Sequence, residues 1–482
     1  MSLSQVVAGG TVIPGGNNAI QGNASMIVDV IADAHITFDP YELPQSSNLA
    51  GAPRNNPNQL VNAIRADNPA YIIFNGDGGH NSLPAEYNAV FVQSATAVTS
   101  TGVPTVISVN CSPSYSEYGM TPHQDLHLYG SSDTASNTLY NTSWVSVYDD
   151  NTGKNFEIVQ ASSVTNNTCP TSSTFTATFT KLHPVGFLMR DHALSEFWDY
   201  ALQGKIVASL GNHDVNCKQS QAASTVYLAS GCPGDPNGPQ DFLTYLQFVM
   251  QNSSTFPFNG YSAVSPFGNY YARTLNPLLS VIAIDSMAGQ YTGGGGTNYG
   301  QTQEATLRCA LSAGTGAGCG GSGALTSQWV ITTQHYCPAN SCTVGGIAPW
   351  AMNAGVDLSL CGHTHLDQEI FSPRCGGSGC TNVTGPGGTT SIPVLDGSGY
   401  TWETDDPMNE CVPLSPDCPG CTRPVLNSAN LNSLNDGLGT LQISYIRLTI
   451  TQHSLAWVAI NNNGQVVKDF VTGALFQGVI NK

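Results

Sequence analysis

Short apolar runs separated by Gly-, Asn- and Ser-rich stretches set the rhythm of this chain. Met26–Ala32 (MIVDVIA) is such a run and predicts a buried strand ending at Asp33. Asn58–Ala66 puts Leu60, Val61 and Ile64 at helical spacing, and Tyr71–Phe74 predicts the next strand. Pro84 at a first turn predicts a helix over Ala85–Val98, followed by a strand over Val103–Val109. From about 111 to 184 the chain is Ser/Thr-rich, with alternating stretches such as Thr174–Thr180, which predicts an irregular or β-rich insertion. The helix–strand rhythm resumes through His192–Leu202, Ile206–Leu210, Phe242–Met250, Leu279–Ile284, Thr302–Leu311, Trp329–Thr333 and Val356–Cys361. Near the end, Ile443–Ile450, Leu455–Ile460 and Val466–Phe470 alternate with period two, and Asn461–Gly464 makes a turn.

Strands alternating with helices predict an α/β (α+β) architecture. The expected organisation is an N-terminal extension over 1–25, a principal unit over 26–372 carrying the insertion, a Cys/Pro/Gly-rich segment over 373–440, and C-terminal strands over 441–482 that complete or flank the principal unit.

Composition narrows the function classes. Only 10% of the 482 residues are charged, against about 25% in ordinary globular proteins. The 14 Lys plus Arg face 32 Asp plus Glu, for a formal charge of -18, which repels nucleic acid and anionic bilayers. No apolar run approaches the roughly 20 residues of a membrane-spanning helix, so no transmembrane segment is expected. The 14 cysteines include the near neighbours Cys217/Cys232, Cys309/Cys319, Cys337/Cys342 and Cys375/Cys380, a pattern that suits disulfides and an oxidising compartment. Cys361, inside an apolar stretch, is expected as a free, buried thiol. Sequons at Asn23, Asn141, Asn166, Asn252 and Asn382 are glycosylation candidates. The chain is therefore expected to be secreted, or to reside in a periplasmic or lysosome-like space. The opening MSLSQVVAGG lacks a signal-peptide pattern and is read as the start of a mature form.

Five short motifs occur in order, each at the end of an expected strand: Asp33-Ala34-His35, Gly76-Asp77, Gly211-Asn212-His213-Asp214, His335, and Gly362-His363-Thr364-His365. Ligands at the carboxyl ends of strands in an α/β sheet converge on one crevice. Carboxylate, imidazole and amide oxygen together favour a borderline divalent metal such as Zn, Mn or Fe over Ca or Mg.

This ordered set resembles the signature of the calcineurin-like metallophosphoesterase superfamily: D-x-H, G-D, G-N-H-D/E, H and G-H-x-H. The resemblance implies a four-layer fold, a two-sheet β-sandwich flanked by helices, here with long loop insertions. It implies two divalent metal ions, with Zn favoured. Asp33, His35 and His365 would hold one, Asn212, His335 and His363 the other, and Asp77 would bridge them. Hydroxide bridging the metals would attack phosphorus, with His213 as general acid oriented by Asp214. The stretch Asp39-Pro40-Tyr41 after the first motif and Asp367 after the last are similar to the acid sphingomyelinase-like phosphodiesterases. His80, near Asp77, is the corresponding substrate-binding candidate.

The expected activity is thus hydrolysis of a small-molecule or lipid phosphate ester, with diesters of sphingomyelinase-like or nucleotide type favoured over monoesters. A monoesterase of the same superfamily (acid phosphatase or nucleotidase) and an inactive secreted structural or recognition protein are the alternatives. His123-Gln124-Asp125-Leu126-His127 lacks the glutamate of a zincin helix, Cys418-Pro-Gly-Cys421 sits in a Cys/Pro-rich loop, and Gly293–Gly296 lacks the Lys-Ser/Thr of a phosphate loop.

Overall fold

A computed structural model describes residues 25–34, 57–78, 92–109, 144–165 (except 151), 172–190, 194–211, 214, 261–264, 270–285, 325, 327–336, 355–362, 367–373, 375–376, 381–382, 391–397, 444–461, 463–468 and 474–482. Among these residues the architecture is mixed α/β, mostly sheet with few helices.

The apolar runs form two large sheets. In the first, the strands lie in the order Ile206–Ala208, Tyr71–Phe74, Met26–Ile31, Ser444–Ile450, Ser454–Asn461 and Gln477–Asn481. Its first three strands are parallel, whereas Met26–Ile31 pairs antiparallel with Ser444–Ile450. One sheet therefore joins the beginning and the end of the described chain. In the second sheet the order is Tyr261–Val264, Tyr271–Thr274, Leu279–Ala283, Trp329–Tyr336, Leu358–Gly362, Ser391–Gly397 and Asp367–Pro373. Its central four strands, Leu279–Ala283 through Ser391–Gly397, are parallel.

The two sheets share one core, which joins Val28, Val30, Ile73, Phe74 and Val207 of the first to Leu279, Val281, Ile331, Leu358 and Leu360 of the second. The Tyr271 hydroxyl crosses between them, donating to the Ala208 carbonyl at 2.7 Å. A Cβ added to Gly397 would lie 2.9 Å from Ile446 Cδ1, so glycine there lets the sheets approach. The helix Pro57–Asp67 caps this core with Leu60, Val61 and Ile64, the residues whose spacing predicted it.

Two smaller sheets hold a second core. One orders Val92–Gln93, Leu188–Arg190, Trp144–Tyr148 and Glu157–Gln160; the other orders Pro104–Val109, Ser173–Thr178 and Ser162–Thr165. Their shared cluster includes Ile107, Val145, Val147, Phe175, Phe179 and Phe187. The Ser/Thr-rich stretch is β-rich where it is described, and it recruits strands from both sides of 111–184.

Three expectations are corrected. The helix over Ala85–Val98 does not extend through its last residues: Val92–Gln93 is a strand, and Ser94 and Val98 bridge to Val109 and His183. Long-range pairing of β-branched residues overrides a local helical pattern there. Of the expected helix His192–Leu202, the described residues form a 3-10 turn, Ser195–Phe197, and the short helix Trp198–Leu202, preceded by Leu194 at a left-handed φ of 59°. Cys361 is wholly buried but disulfide-bonded instead of free. The expected helices Phe242–Met250 and Thr302–Leu311, the two glycine runs and most of 375–435 lie outside the described residues. No described helix is long and apolar enough to cross a membrane.

Candidate metal centre

Parallel pairing sets the position of the candidate ligands. Ile31 lies opposite Phe74, so the chain segments leaving these two neighbouring strands stay in register beyond them. The Asn75 amide donates to the Ile31 carbonyl at 2.9 Å, and the Asp33 amide to the Gly76 carbonyl at 3.0 Å. Asp33 and Asp77 are thereby brought side by side. Both take left-handed backbone conformations, with φ of 60° and 58°, uncommon outside glycine. Such geometry turns each carboxylate away from the strand direction that an extended backbone would impose.

His335 arrives from the second sheet. Its strand pairs Thr333 with Leu360 and Tyr336 with Gly362, so two residues, Gln334 and His335, stand against Cys361 alone. That bulge re-aims the His335 ring, a familiar use of the device near functional sites. The ring's Nδ1 donates to the Asn75 main-chain oxygen at 2.9 Å, and its Nε2 lies 3.0 Å from Asp77 Oδ2. Ligand atoms of Asp33, Asp77 and His335 all lie within 4.8 Å of one another, and all three residues are wholly buried. Burial alone would push the His335 ring's pKa down, but the charges of Asp77 and Asp33 and the bonds to Asp77 and Asn75 outweigh it and raise it to about 10.

Glycines of the motifs leave the room this requires. A Cβ on Gly362 would stand 2.7 Å from Asp33 Oδ2 and 2.9 Å from Ala32 Cβ, and one on Gly211 would collide with the Asp77 carboxylate. Gly76, at φ 95°, lies so close to Gly211 that its Cβ would sit 2.5 Å from the Gly211 nitrogen. Two buried carboxylates and an imidazole, with ligand atoms within 4.8 Å of one another, form a donor set that could hold a metal ion.

Asn75 is a residue that the sequence did not single out. Its side-chain amide donates to the Cys361 carbonyl at 2.9 Å and its Oδ1 accepts the Thr333 hydroxyl, tying the strand ends of both sheets together. Nothing in its local pattern marks it beyond its place before Gly76-Asp77. Asp214, expected beside His213, is buried, and its carboxylate accepts the backbone amides of Asp77, Gly78 and Gly211. Among the expected site residues, Asp33, Asp77 and His335 come together; His35, His80, Asn212, His213, His363 and His365 lie outside the described residues.

No protein-family model and no curated protein matches the sequence. Among solved structures, the chain is similar to GAP50, the anchor in the inner membrane complex of Plasmodium, at 9% identity and TM-score 0.35, covering 95% of this chain and 89% of that one. It is also similar to PhoD at 10% identity and TM-score 0.35, covering 94% of this chain and 73% of that one. Similarity at this level does not specify an activity.

Proposed function

We propose that the chain is a secreted, metal-dependent phosphoric ester hydrolase on a calcineurin-like fold, acting on phosphodiesters in preference to monoesters. The observation that carries this reading is the meeting of Asp33, Asp77 and His335, from separate strands of two sheets, in one buried group with ligand atoms within 4.8 Å. Two carboxylates and one imidazole leave an excess of buried negative charge, which a divalent cation complements. Asp33, His35 and His365 would hold one ion, Asn212, His335 and His363 a second, with Asp77 shared between them. Zn is favoured by the His-rich donor set, with Mn or Fe as alternatives.

Such ions, when bound, supply Lewis-acid charge and a water of lowered pKa. The chain's own residues supply the rest. Asn75 holds the His335 ring by Nδ1, so that Nε2 is the ring atom facing the carboxylates. Gly211 and Gly362 keep side chains out of the space beside Asp77 and Asp33. His213 would give a proton to the leaving oxygen of the ester. In a chain of formal charge -18, an anionic ester needs local positive charge, and the metal centre is where it would be found.

The test is elemental analysis of the purified chain after reconstitution, combined with turnover of bis(p-nitrophenyl) phosphate and p-nitrophenyl phosphate. Two bound transition ions per chain and faster diester turnover are expected. Fewer than one ion per chain would favour a structural or recognition protein, and faster monoester turnover would overturn the diesterase assignment.

A further inference from the structure

We infer that Asp214 is a positioning residue, whose carboxylate clamps the Asp77 loop to the Gly211 loop and so holds Asp77 in its ligating pose. The inference rests on the proposed role of Asp77 as a metal ligand. The geometry is direct. Asp214 Oδ2 accepts the Asp77 amide at 2.8 Å and the Gly211 amide at 2.7 Å, while Oδ1 accepts the Gly78 amide at 2.9 Å. Consecutive left-handed residues, Gly76 at φ 95° and Asp77 at φ 58°, curl the loop so that the neighbouring amides of Asp77 and Gly78 both meet this carboxylate. The two loops touch backbone to backbone at Gly76 and Gly211, where no Cβ fits. A carboxylate is the side chain that answers three converging donors, because it only accepts. An asparagine in its place would turn an NH2 group toward at least one N–H.

The same bonds explain why Asp77 keeps an uncommon backbone conformation: the loop's amides are satisfied only when it is curled this way. Asp214 therefore acts through Asp77; His213, which it was expected to orient, lies outside the described residues.

The experiment compares the full-length protein with Asp214→Asn and Asp214→Glu. Zn2+ affinity is measured by calorimetry and kcat at saturating Zn2+. Backbone exchange is followed by hydrogen-exchange mass spectrometry on peptides spanning 71–80 and 206–214. The expected result for Asp214→Asn is Zn2+ binding weakened about 10- to 100-fold, with kcat largely recovered once the ion saturates. Both peptides should exchange faster than in the unsubstituted protein, and Asp214→Glu should recover part of the protection. Unchanged Zn2+ affinity with kcat lost at full occupancy would overturn the clamp and place Asp214 on His213. If the unsubstituted protein binds no Zn2+, the ligand role of Asp77 fails, and the exchange comparison alone then decides whether the clamp exists. Should Asp214→Asn not fold, slow exchange in the unsubstituted protein at both peptides supports the clamp and fast exchange overturns it.

Discussion

The main-chain oxygen of Asn75 accepts the Nδ1 proton of His335 at 2.9 Å, and this one bond decides which ring nitrogen faces Asp77. Its side chain meanwhile bonds to Cys361 and Thr333, so one residue fixes both a ring orientation and the joint between two sheets. Asn75→Ala should leave the Cys361 carbonyl and the Thr333 hydroxyl buried without these partners. A loss of about 1–3 kcal/mol in urea unfolding is expected. Metal affinity, read by calorimetry, should fall by about tenfold, because losing the two side-chain bonds frees the strand end whose main-chain oxygen, kept in alanine, holds the His335 ring. Unchanged affinity in a destabilised variant would confine Asn75 to a structural role.

Gly362→Ala tests the space beside Asp33. The new methyl would meet Asp33 Oδ2 at 2.7 Å and Ala32 Cβ at 2.9 Å, and both belong to a closely packed strand end. Overpacking of this kind costs about 1–3 kcal/mol, and here the carboxylate is what must move. Metal content after dialysis should drop sharply while the far-ultraviolet circular dichroism stays close to that of the unsubstituted chain. Full metal retention would mean that the Asp33 carboxylate is not a ligand.

How far the sequence foretold this arrangement depends on the range of the interaction. Asp33 and Asp77 were legible because each closes an apolar strand within a short recognisable motif. The strands Met26–Ile31 and Tyr71–Phe74 were legible because β-branched runs leave few alternatives. Asn75 was not, since its partners Cys361 and Thr333 are 286 and 258 positions away and an asparagine after a strand has many ordinary uses. The bulge at His335 was equally hidden: the expected strand stopped at Thr333, whereas pairing continues to Tyr336 with one residue extra. Val92 and Val98 fitted a helix locally, and only partners at Met189 and His183 make them extended.

Asp29 is a buried carboxyl outside the metal centre. It lies opposite Arg447 in the first sheet, yet the Arg447 guanidinium bonds to Asp67 and, among the described residues, neither Asp29 oxygen has a hydrogen-bond partner. Burial first, then the charge of Asp67, push its pKa well above the usual carboxylate value, with Arg447 opposing. A raised folded-state pKa means a stability contribution fully present below the unfolded pKa of about 3.9 and lost as pH rises toward the folded value. Asp29→Asn, which stays neutral, should therefore be the more stable protein at pH 7. The gap should shrink on acidification by up to about 1.4 kcal/mol per pH unit and close below about pH 4. Parallel urea melts from pH 4 to 8 would check this; a variant less stable at every pH would show that Asp29 is ionised and favourably solvated.

Glu157 should behave with the opposite sign. It lies in the smaller sheets, where its carboxylate accepts the Thr180 amide and hydroxyl at 2.7 and 2.6 Å and the Lys181 amide at 3.1 Å, and meets His183 Nε2 at 2.8 Å. The other nitrogen of His183 lies 2.8 Å from Asp149, so the ring bridges two acidic residues and is packed beside Phe179 and Phe187. Burial pushes the Glu157 carboxyl up, but the bonds from His183, Thr180 and Lys181 outweigh it and hold the pKa below the usual value. A depressed folded-state pKa gives stability that is present above the unfolded value of about 4.3 and is lost as pH falls through the folded one. Glu157→Gln replaces one accepting oxygen by a donor facing donors, so it should cost about 1–3 kcal/mol at pH 7 and progressively less in acid. Because these bonds lie in the second core, the loss should show as faster hydrogen exchange over 144–165 and 172–190 before any change over 25–34 or 71–78. Uniform exchange throughout would mean that the two cores unfold as one unit, and an undiminished cost at pH 3 would mean that the lost interaction is not the ionised carboxylate's.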